Sequence, residues 1–227
     1  MNDQLHIVLL SLKVSILATL FNLPWGVFLG WLFARKNFPG KSLLDGLVTV
    51  PLVLPPVVTG YLLLIIFGPK GLLGRYLEDW FGLSLAFTWK AAVLAAAVVS
   101  FPLLVRAVRV AVDSVDYKLE EAAKVLRLSN WEIFFKITLP LSAHGIIAGA
   151  VLAFARGFGE FGATIIFASN IPGKTQTIPL AIFTYLNQPG GEVKVKLLVF
   201  IAILFSYVCV VINEIWLKRF RTKARMV

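Results

Sequence analysis

Long apolar blocks alternate with short polar segments along this chain. Five blocks have the length that a helix needs to cross a hydrocarbon layer of about 30 Å. They cover about 7–34, 46–67, 89–110, 142–168 and 195–217. The pattern predicts an all-α integral membrane protein, one domain over residues 1–227 with about five transmembrane helices. Division of the long first block into two helices would give six.

The first two blocks contain prolines. Pro51, Pro55 and Pro56 lie in the second block, and Pro24 and Gly26 lie in the first. Proline lacks a backbone N–H and its ring clashes with the preceding turn, so each site is predicted to bend or open its helix. In lipid, the freed carbonyl groups must be met by protein or water. The bends either serve helix packing, or Pro55 and Pro56 line a pathway for a polar solute.

Composition agrees with a bilayer as the solvent, since 59% of the residues are hydrophobic and the mean hydropathy is +0.85. The net charge of +10 does not indicate nucleic acid, because basic residues of membrane proteins flank the spans and contact anionic headgroups. When the five spans alternate in direction across a membrane, most lysines and arginines fall in the connecting segments on one side of it. This bias predicts a periplasmic N-terminus and a cytoplasmic C-terminus. Lys13 and Arg156 fall within predicted spans.

The segment 111–141 is too polar to span a membrane, and the charge pattern places it in the cytoplasm. Four of its apolar residues recur at the spacing of one helical face: Leu119, Ala122, Ala123 and Leu126. Ser129-Asn130-Trp131-Glu132 is a capping-box pattern that predicts a second helix, ending near Leu139-Pro140. Two such helices could dock in the groove of a partner or lie on lipid headgroups.

The same segment resembles the EAA loop of ABC importer permeases. Glu121-Ala122-Ala123 is followed, at that family's spacing, by position 127 and then by Ile137-Thr138-Leu139-Pro140. The resemblance implies a coupling loop that inserts into a cleft of a cytoplasmic ATPase subunit. The family's usual glycine, which permits an unusual backbone angle, is replaced here by Arg127. The residues assigned to coupling are Glu121, Ala122, Ala123, Arg127, Ser129, Ile137, Leu139 and Pro140.

Over about residues 7–217 the chain is similar to molybdate permease subunits. The similarity includes three motifs: 51–58, Gly159-Glu160-Phe161-Gly162-Ala163-Thr164 and Ser169-Asn170-Ile171-Pro172-Gly173. The second motif is also similar to sulfate and thiosulfate permeases, whereas the third favours molybdate. The resemblance implies a type I ABC importer permease that carries molybdate or a similar tetrahedral oxyanion across the inner membrane. Sulfate, thiosulfate and tungstate are the alternatives.

Arg156 and Glu160 stand four residues apart in the fourth predicted span. Charges inside a membrane are costly unless they are paired or face a cavity, and this spacing lets the two neutralise each other. We interpret them as a buried structural pair, and the alternative is that Arg156 contacts a passing dianion. One cysteine and two histidines provide no disulfide, metal or catalytic pattern. The chain is therefore predicted to be a transport subunit with no cofactor and no ATPase site.

Five asymmetric spans do not readily enclose a pathway, so we expect a symmetric homodimer with the route on its two-fold axis. The resemblance implies the same, with two copies of a cytoplasmic ABC ATPase and a periplasmic oxyanion-binding protein as partners. Residues Ile178 to Leu186 are expected to form a short outer helix that contacts the binding protein. The rival class is an ion-gradient-driven secondary transporter, which should show repeated halves with matching interrupted helices. The sequence shows no such repeat.

Overall fold

The described part of the protein is a helical bundle. The computed structural model describes the backbone of residues 2–224 and the side chains of residues 3–215. In chain order the helices of this part are α1 (Asn2–Arg35), α2 (Lys41–Val53), α3 (Pro56–Phe67), α4 (Gly74–Phe81), α5 (Trp89–Asp113), α6 (Tyr117–Val125), α7 (Asn130–Ile133), α8 (Leu139–Phe158), α9 (Gly162–Phe167), α10 (Ile178–Leu186) and α11 (Glu192–Ala224). A π-helical turn, Phe134–Thr138, joins α7 to α8.

Helix α5 is the centre of the bundle and packs on α1 and α8. Its first half is rich in alanine, and Ala91, Ala95 and Ala96 are fully buried. Small side chains let helix backbones approach closely, which favours association where lipid is as apolar as the helices themselves. A polar contact adds to this packing, because the side chain of Asn22 in α1 donates to the carbonyl of Ala97 at 2.8 Å.

The first predicted span is one helix. α1 runs through Pro24 and Gly26 without a break, so the predicted interruption there is wrong. A single proline removes one backbone donor, and the packing of α1 along α5 outweighs that loss. Four described helical segments are long and apolar enough to cross a bilayer: α1, α5, the continuous stretch Asn130–Phe158 and α11.

The second predicted span is divided. The axes of α2 and α3 differ by 113°, and Leu54 between them is extended with ψ of 143°. A residue that precedes proline is disfavoured in the helical region, so Leu54 ends α2, and Pro56 begins α3 where the missing N–H costs nothing. The bend that its prolines predict is therefore present within the predicted span over 46–67. Pro51 stays within α2.

The fourth predicted span, 142–168, is also interrupted. α8 ends at Phe158, and α9 begins at Gly162. In the break, the carboxylate of Glu160 accepts a hydrogen bond from the backbone N–H of Ala163 at 2.8 Å. A side chain thus satisfies a donor in the first turn of α9 that a continuous helix would have bonded to its preceding turn. The uninterrupted span is wrong for this reason.

The second helix of the polar segment does not end near Leu139-Pro140 as predicted. One helical path continues from Asn130 to Phe158. Leu139 donates its N–H to the carbonyl of Phe134, and this wider π-helical step makes room for the proline ring and its missing donor. The second arm of the loop is therefore the extension of a spanning helix.

The last two helices follow the sequence pattern. α10 has the predicted bounds, Ile178–Leu186, and α11 covers the fifth predicted span over 195–217. The basic residues from Lys218 to Arg225, which contribute to the predicted cytoplasmic C-terminus, lie outside the described side chains. Among the described residues no sixth span arises, because the first apolar block remains one helix.

Candidate functional site

The coupling loop, residues 116–140, consists of two capped helical arms. Asp116 caps the N-terminus of α6 and accepts a hydrogen bond from a backbone N–H two residues on, at 2.9 Å. The predicted capping box is present: Glu132 N–H donates to the Ser129 hydroxyl (3.3 Å), and Ser129 N–H donates to the Glu132 carboxylate (2.9 Å). The hydrogen bond from the Ser129 backbone, and to a smaller extent the one from the Lys136 side chain, lower the pKa of Glu132 to about 2. The charged form that closes the box therefore persists at physiological pH.

Arg127 follows the C-terminus of α6 and has the left-handed conformation, with φ of 62°. Its N–H donates to the carbonyl of Lys124 at 2.9 Å, and the N–H of Leu128 donates to that of Ala123 at 3.2 Å. These are the paired bonds of a Schellman motif, which usually has glycine at this position. A residue with a Cβ costs about 1–2 kcal/mol there. Arginine thus adopts the turn that glycine usually forms, and its backbone is strained there.

Replacing Arg127 with glycine is expected to stabilise the protein by about 0.5–1 kcal/mol, since the strain relieved exceeds the entropy that glycine adds to the unfolded chain. The melting temperature of the purified protein should rise by about 2 °C. Lys124→Gly, inside α6, is the matched control and should lower stability by about 1 kcal/mol. A lower melting temperature for Arg127→Gly would mean that contacts of the guanidinium outweigh the backbone strain.

The coupling loop exposes large apolar side chains that no other described residue covers. Five of them form what we call the docking face: Leu119, Val125, Leu126, Trp131 and Phe135. Val125 and Leu126 are 83% and 76% exposed. The rings of Trp131 and Phe135 stack with centroids 6.3 Å apart. Exposed apolar groups gathered on a polar segment are typical of an interaction site.

The predicted apolar stripe of α6 is mostly exposed in the described part of the chain. Of its four residues only Ala123 is buried, while Leu119, Ala122 and Leu126 are exposed, as is Glu121. The other predicted coupling residues lie on the returning arm, where Ile137 and Leu139 are half-buried and Pro140 is exposed. Most of the coupling residues are therefore open to a partner.

An ion cluster on the buried side of α6 escaped sequence reasoning. The carboxylate of Glu120 accepts hydrogen bonds from Arg35 Nε at 2.9 Å and from the Thr138 hydroxyl at 2.8 Å. Arg35 Nη2 also donates to the carbonyl of Val115 at 2.8 Å. The side chains of Arg35 and Glu120 are only 11% and 7% exposed. One carboxylate thus joins the end of α1, helix α6 and the π-helical turn.

The sequence does not show directly which of two adjacent glutamates is the buried one. Glu120 stands three residues before Ala123 and shares its face of α6, whereas Glu121 points to another side. The buried alanine is the signal that could have identified Glu120 as the inward member of the pair. The partner at Arg35 is distant in sequence, so only folding reveals it.

The two interrupted helices meet near their breaks, where α3 packs on α9. A Cβ added to Gly60 would lie 2.6 Å from the carbonyl oxygen of Ala163, and one on Gly162 would lie 2.7 Å from Pro56. The two backbones therefore touch, and a side chain at either glycine would push them apart. Discontinuous membrane helices commonly form solute sites at such points. Pro55 and Pro56, the predicted pathway residues, lie at this junction.

Arg156 and Glu160 form the predicted ion pair, with 2.7 Å between Arg156 Nη1 and Glu160 Oε2. Their predicted place in the middle of a helix is wrong, because α8 ends between them. The Glu160 side chain is 2% exposed and that of Arg156 is 31% exposed. Glu160 is fixed from two directions, by Arg156 and by the N–H of Ala163. The guanidinium therefore keeps an accessible edge beside the helix break.

Residues 25–226 match the family of binding-protein-dependent transport system inner membrane components. The chain belongs to this family. It is 58% identical to the molybdenum transport system permease protein ModB of Escherichia coli (strain K12), over 93% of this chain and 92% of that one. It is 52% identical to ModB of Haemophilus influenzae over 97% and 96% of the two chains. The sulfate transport system permease protein CysT of Escherichia coli is 36% identical over 80% and 66%.

The fold of this binding-protein-dependent transport component also occurs in a solved transporter. A chain from inward facing conformations of the MetNI methionine ABC transporter matches with a TM-score of 0.71 and 16% identity, over 95% of this chain and 97% of that one. The expected type I importer permease fold is confirmed, as is the resemblance to molybdate permeases. The protein is a multi-pass component of the inner membrane, and its relatives are transport permeases.

The described residues of this transport component offer no metal centre, since no group of three or more His, Cys, Asp and Glu side chains could hold an ion. The loop between α9 and α10 contains two buried threonine hydroxyls. That of Thr177 has no hydrogen-bond partner among the described residues, and the other belongs to Thr175. This hydroxyl accepts from the N–H of Ile171 at 2.9 Å and donates to the carbonyl of Ser169 at 3.0 Å. It is therefore occupied by the backbone of its own loop.

Proposed function

We propose that this chain is the membrane-spanning permease subunit of an ATP-driven importer for molybdate. The identity of 58% and 52% to two ModB permeases, over more than nine tenths of the chain, carries the proposal. Sulfate is the second candidate substrate, because the CysT permease is a more distant relative at 36% identity. Interrupted helices alone would also suit a gradient-driven transporter, but membership in a binding-protein-dependent family opposes that assignment.

The docking face and Glu121 are proposed to bind a cytoplasmic ABC ATPase subunit. Exposed apolar side chains on a polar loop support this assignment, and the bias of basic residues favours a cytoplasmic location for the loop. The ion cluster at Glu120 would make α6 move together with α1 and the π-helical turn. From that turn the helical path to Phe158 is unbroken. Movement of the ATPase would thus reach Arg156 through one rigid element.

A two-fold pair of chains would enclose a route beside the interrupted helices. The exposed apolar side chains of Val57, Tyr61 and Ile65 on α3 support contacts with a second copy or with lipid there. Each copy would bind one ATPase subunit, giving two in the complex. A periplasmic oxyanion-binding protein would contact the opposite face, at 68–88 and 169–194.

Arg156 is proposed to contact the passing dianion with its accessible edge. Glu160 would keep the pair close to neutral, because a lone cation in a low-dielectric site would hold a dianion too tightly for release. The exposure of Arg156 and the burial of Glu160 support this division of roles.

Glu121→Lys is the test of the proposed function. In liposomes that contain the permease, its ATPase and its binding protein, the wild type should take up molybdate when ATP is added. The variant should take it up at least tenfold more slowly, because a reversed charge at a docking surface repels the partner. Its melting temperature should stay unchanged, since the side chain is exposed.

Asp3→Lys is the matched control, because it makes the same charge change at an exposed position of α1 that lies outside the segments assigned to either partner. It should transport like the wild type. Wild-type uptake by Glu121→Lys would refute the docking assignment. Preferential uptake of sulfate over molybdate by the wild type would refute the substrate while leaving the docking assignment in place.

A further inference from the structure

A cationic cavity lies at the end of the bundle opposite to the coupling loop. Its volume is about 620 Å³, which is within the range of small-molecule sites. The start of α1, the segment before α5 and the loop after α9 form its walls. Its basic and indole side chains are His6, Lys13, Trp89, Lys90 and Lys174. Aspartate and glutamate are absent from its lining.

The three lysines of this cavity lack a counter-charge within the described part of the chain. None of the ion pairs between described residues includes Lys13, Lys90 or Lys174. The ammonium of Lys13 lies 3.8 Å from the centroid of the Trp89 ring, which attracts a cation but cannot neutralise it. Trp89 also begins α5, so the positive end of that helix dipole adds to the potential. The cavity is therefore suited to an anion.

Helix lengths place the cavity at a surface of the bilayer. From Lys13 to Arg35 helix α1 rises about 33 Å, and from Trp89 to Arg109 helix α5 rises about 30 Å. Both rises match the thickness of the hydrocarbon layer. Arg35 is held at the far end by the coupling loop. Lys13 and Trp89 thus lie at the level of the opposite headgroups, where lysine and tryptophan commonly meet the interface.

We propose that this cavity binds the phosphate group of an anionic phospholipid. The lysines and the start of α5 would bind the phosphate, while Leu9 and Phe87 of the same cavity would contact the glycerol and the adjoining chains. A free oxyanion has a similar charge. The cavity, however, contains none of the residues at the helix breaks, where the route of the transported oxyanion is proposed. A lipid is already held at this level by its tails. The bound headgroup would contact both α1 and α5 and so stabilise their packing.

The test counts the lipids that remain bound to the purified transporter, with its ATPase subunit, by native mass spectrometry. The wild type should retain phosphatidylglycerol in preference to phosphatidylcholine. The variant K13Q/K90Q/K174Q should bind phosphatidylglycerol on the order of a hundredfold more weakly, since it loses three lysines at the headgroup level. The matched control K70Q/K194Q/K196Q removes the same charge from other residues of the same predicted side and should bind like the wild type.

Equal loss of phosphatidylglycerol in the cavity variant and the control would overturn the proposal, as would a wild type without headgroup preference. Displacement of the lipid by inorganic phosphate or molybdate would identify a free-oxyanion site and overturn the lipid assignment. Lys13→Arg should retain the lipid, which separates loss of charge from misfolding. The proposal needs only that α1 and α5 cross the bilayer, so wild-type uptake by Glu121→Lys, which would refute the docking assignment, leaves it unaffected.

Discussion

Replacing Glu120 with alanine is expected to abolish most ATP-driven uptake and to lower the melting temperature by about 10 °C. The substitution leaves the buried guanidinium of Arg35 without its partner and the Thr138 hydroxyl without its acceptor. Removing one partner of a buried ion pair lowers the free energy of unfolding by about 3–5 kcal/mol. Uptake should fail because α6 is then no longer joined to α1 and the spanning helix. Thermal melting and liposome uptake measure the two effects.

The adjacent glutamate supplies the matched control. Glu121 is exposed, so Glu121→Ala should leave the melting temperature unchanged and affect uptake only. The double variant Arg35→Gln/Glu120→Gln removes both charges and should be less destabilised than the sum of the two single variants. If Glu120→Ala melts and transports like the wild type, the ion cluster neither stabilises the loop nor takes part in coupling.

Removing the carboxylate of Glu160 should have the second largest effect. Glu160→Ala takes away the partner of Arg156 and the acceptor for the N–H of Ala163. We expect a loss of about 2–4 kcal/mol, below the figure for Glu120 because Arg156 is partly exposed and water can solvate it. The maximal rate of uptake should fall at least tenfold, because the unneutralised guanidinium retains the dianion. The apparent KM for molybdate should fall as well.

Opposite changes in KM distinguish a pathway role from a purely structural one. Arg156→Gln removes the cation and should raise the KM, whereas Glu160→Ala should lower it. Arg156→Lys keeps a charge without the forked geometry and should lie between the wild type and Arg156→Gln. If both substitutions lower the melting temperature while KM stays constant, the pair serves packing alone.

Several features of the site could be predicted because their causes are local. The capping box at Ser129 depends on residues three apart, and the bend at Pro56 depends on the chemistry of proline itself. The left-handed turn at Arg127 was indicated by the resemblance, although the residue present disfavours it. The break at Gly162 was missed, because its cause is a hydrogen bond from the Ala163 N–H to the Glu160 carboxylate combined with the close approach of α3. Neither cause produces a recognisable pattern in the residues around the break.

The sequence by itself determined that this protein is a helical membrane component with a polar loop between two of its spans. Both conclusions follow from hydrophobic blocks and from spacing along the chain, which hold in any packing arrangement. Only the tertiary structure decided that Glu120 rather than Glu121 is buried, and that the second arm of the loop continues as a spanning helix. Those outcomes depend on which distant groups reach one another, such as Arg35 and Thr138 at a single carboxylate.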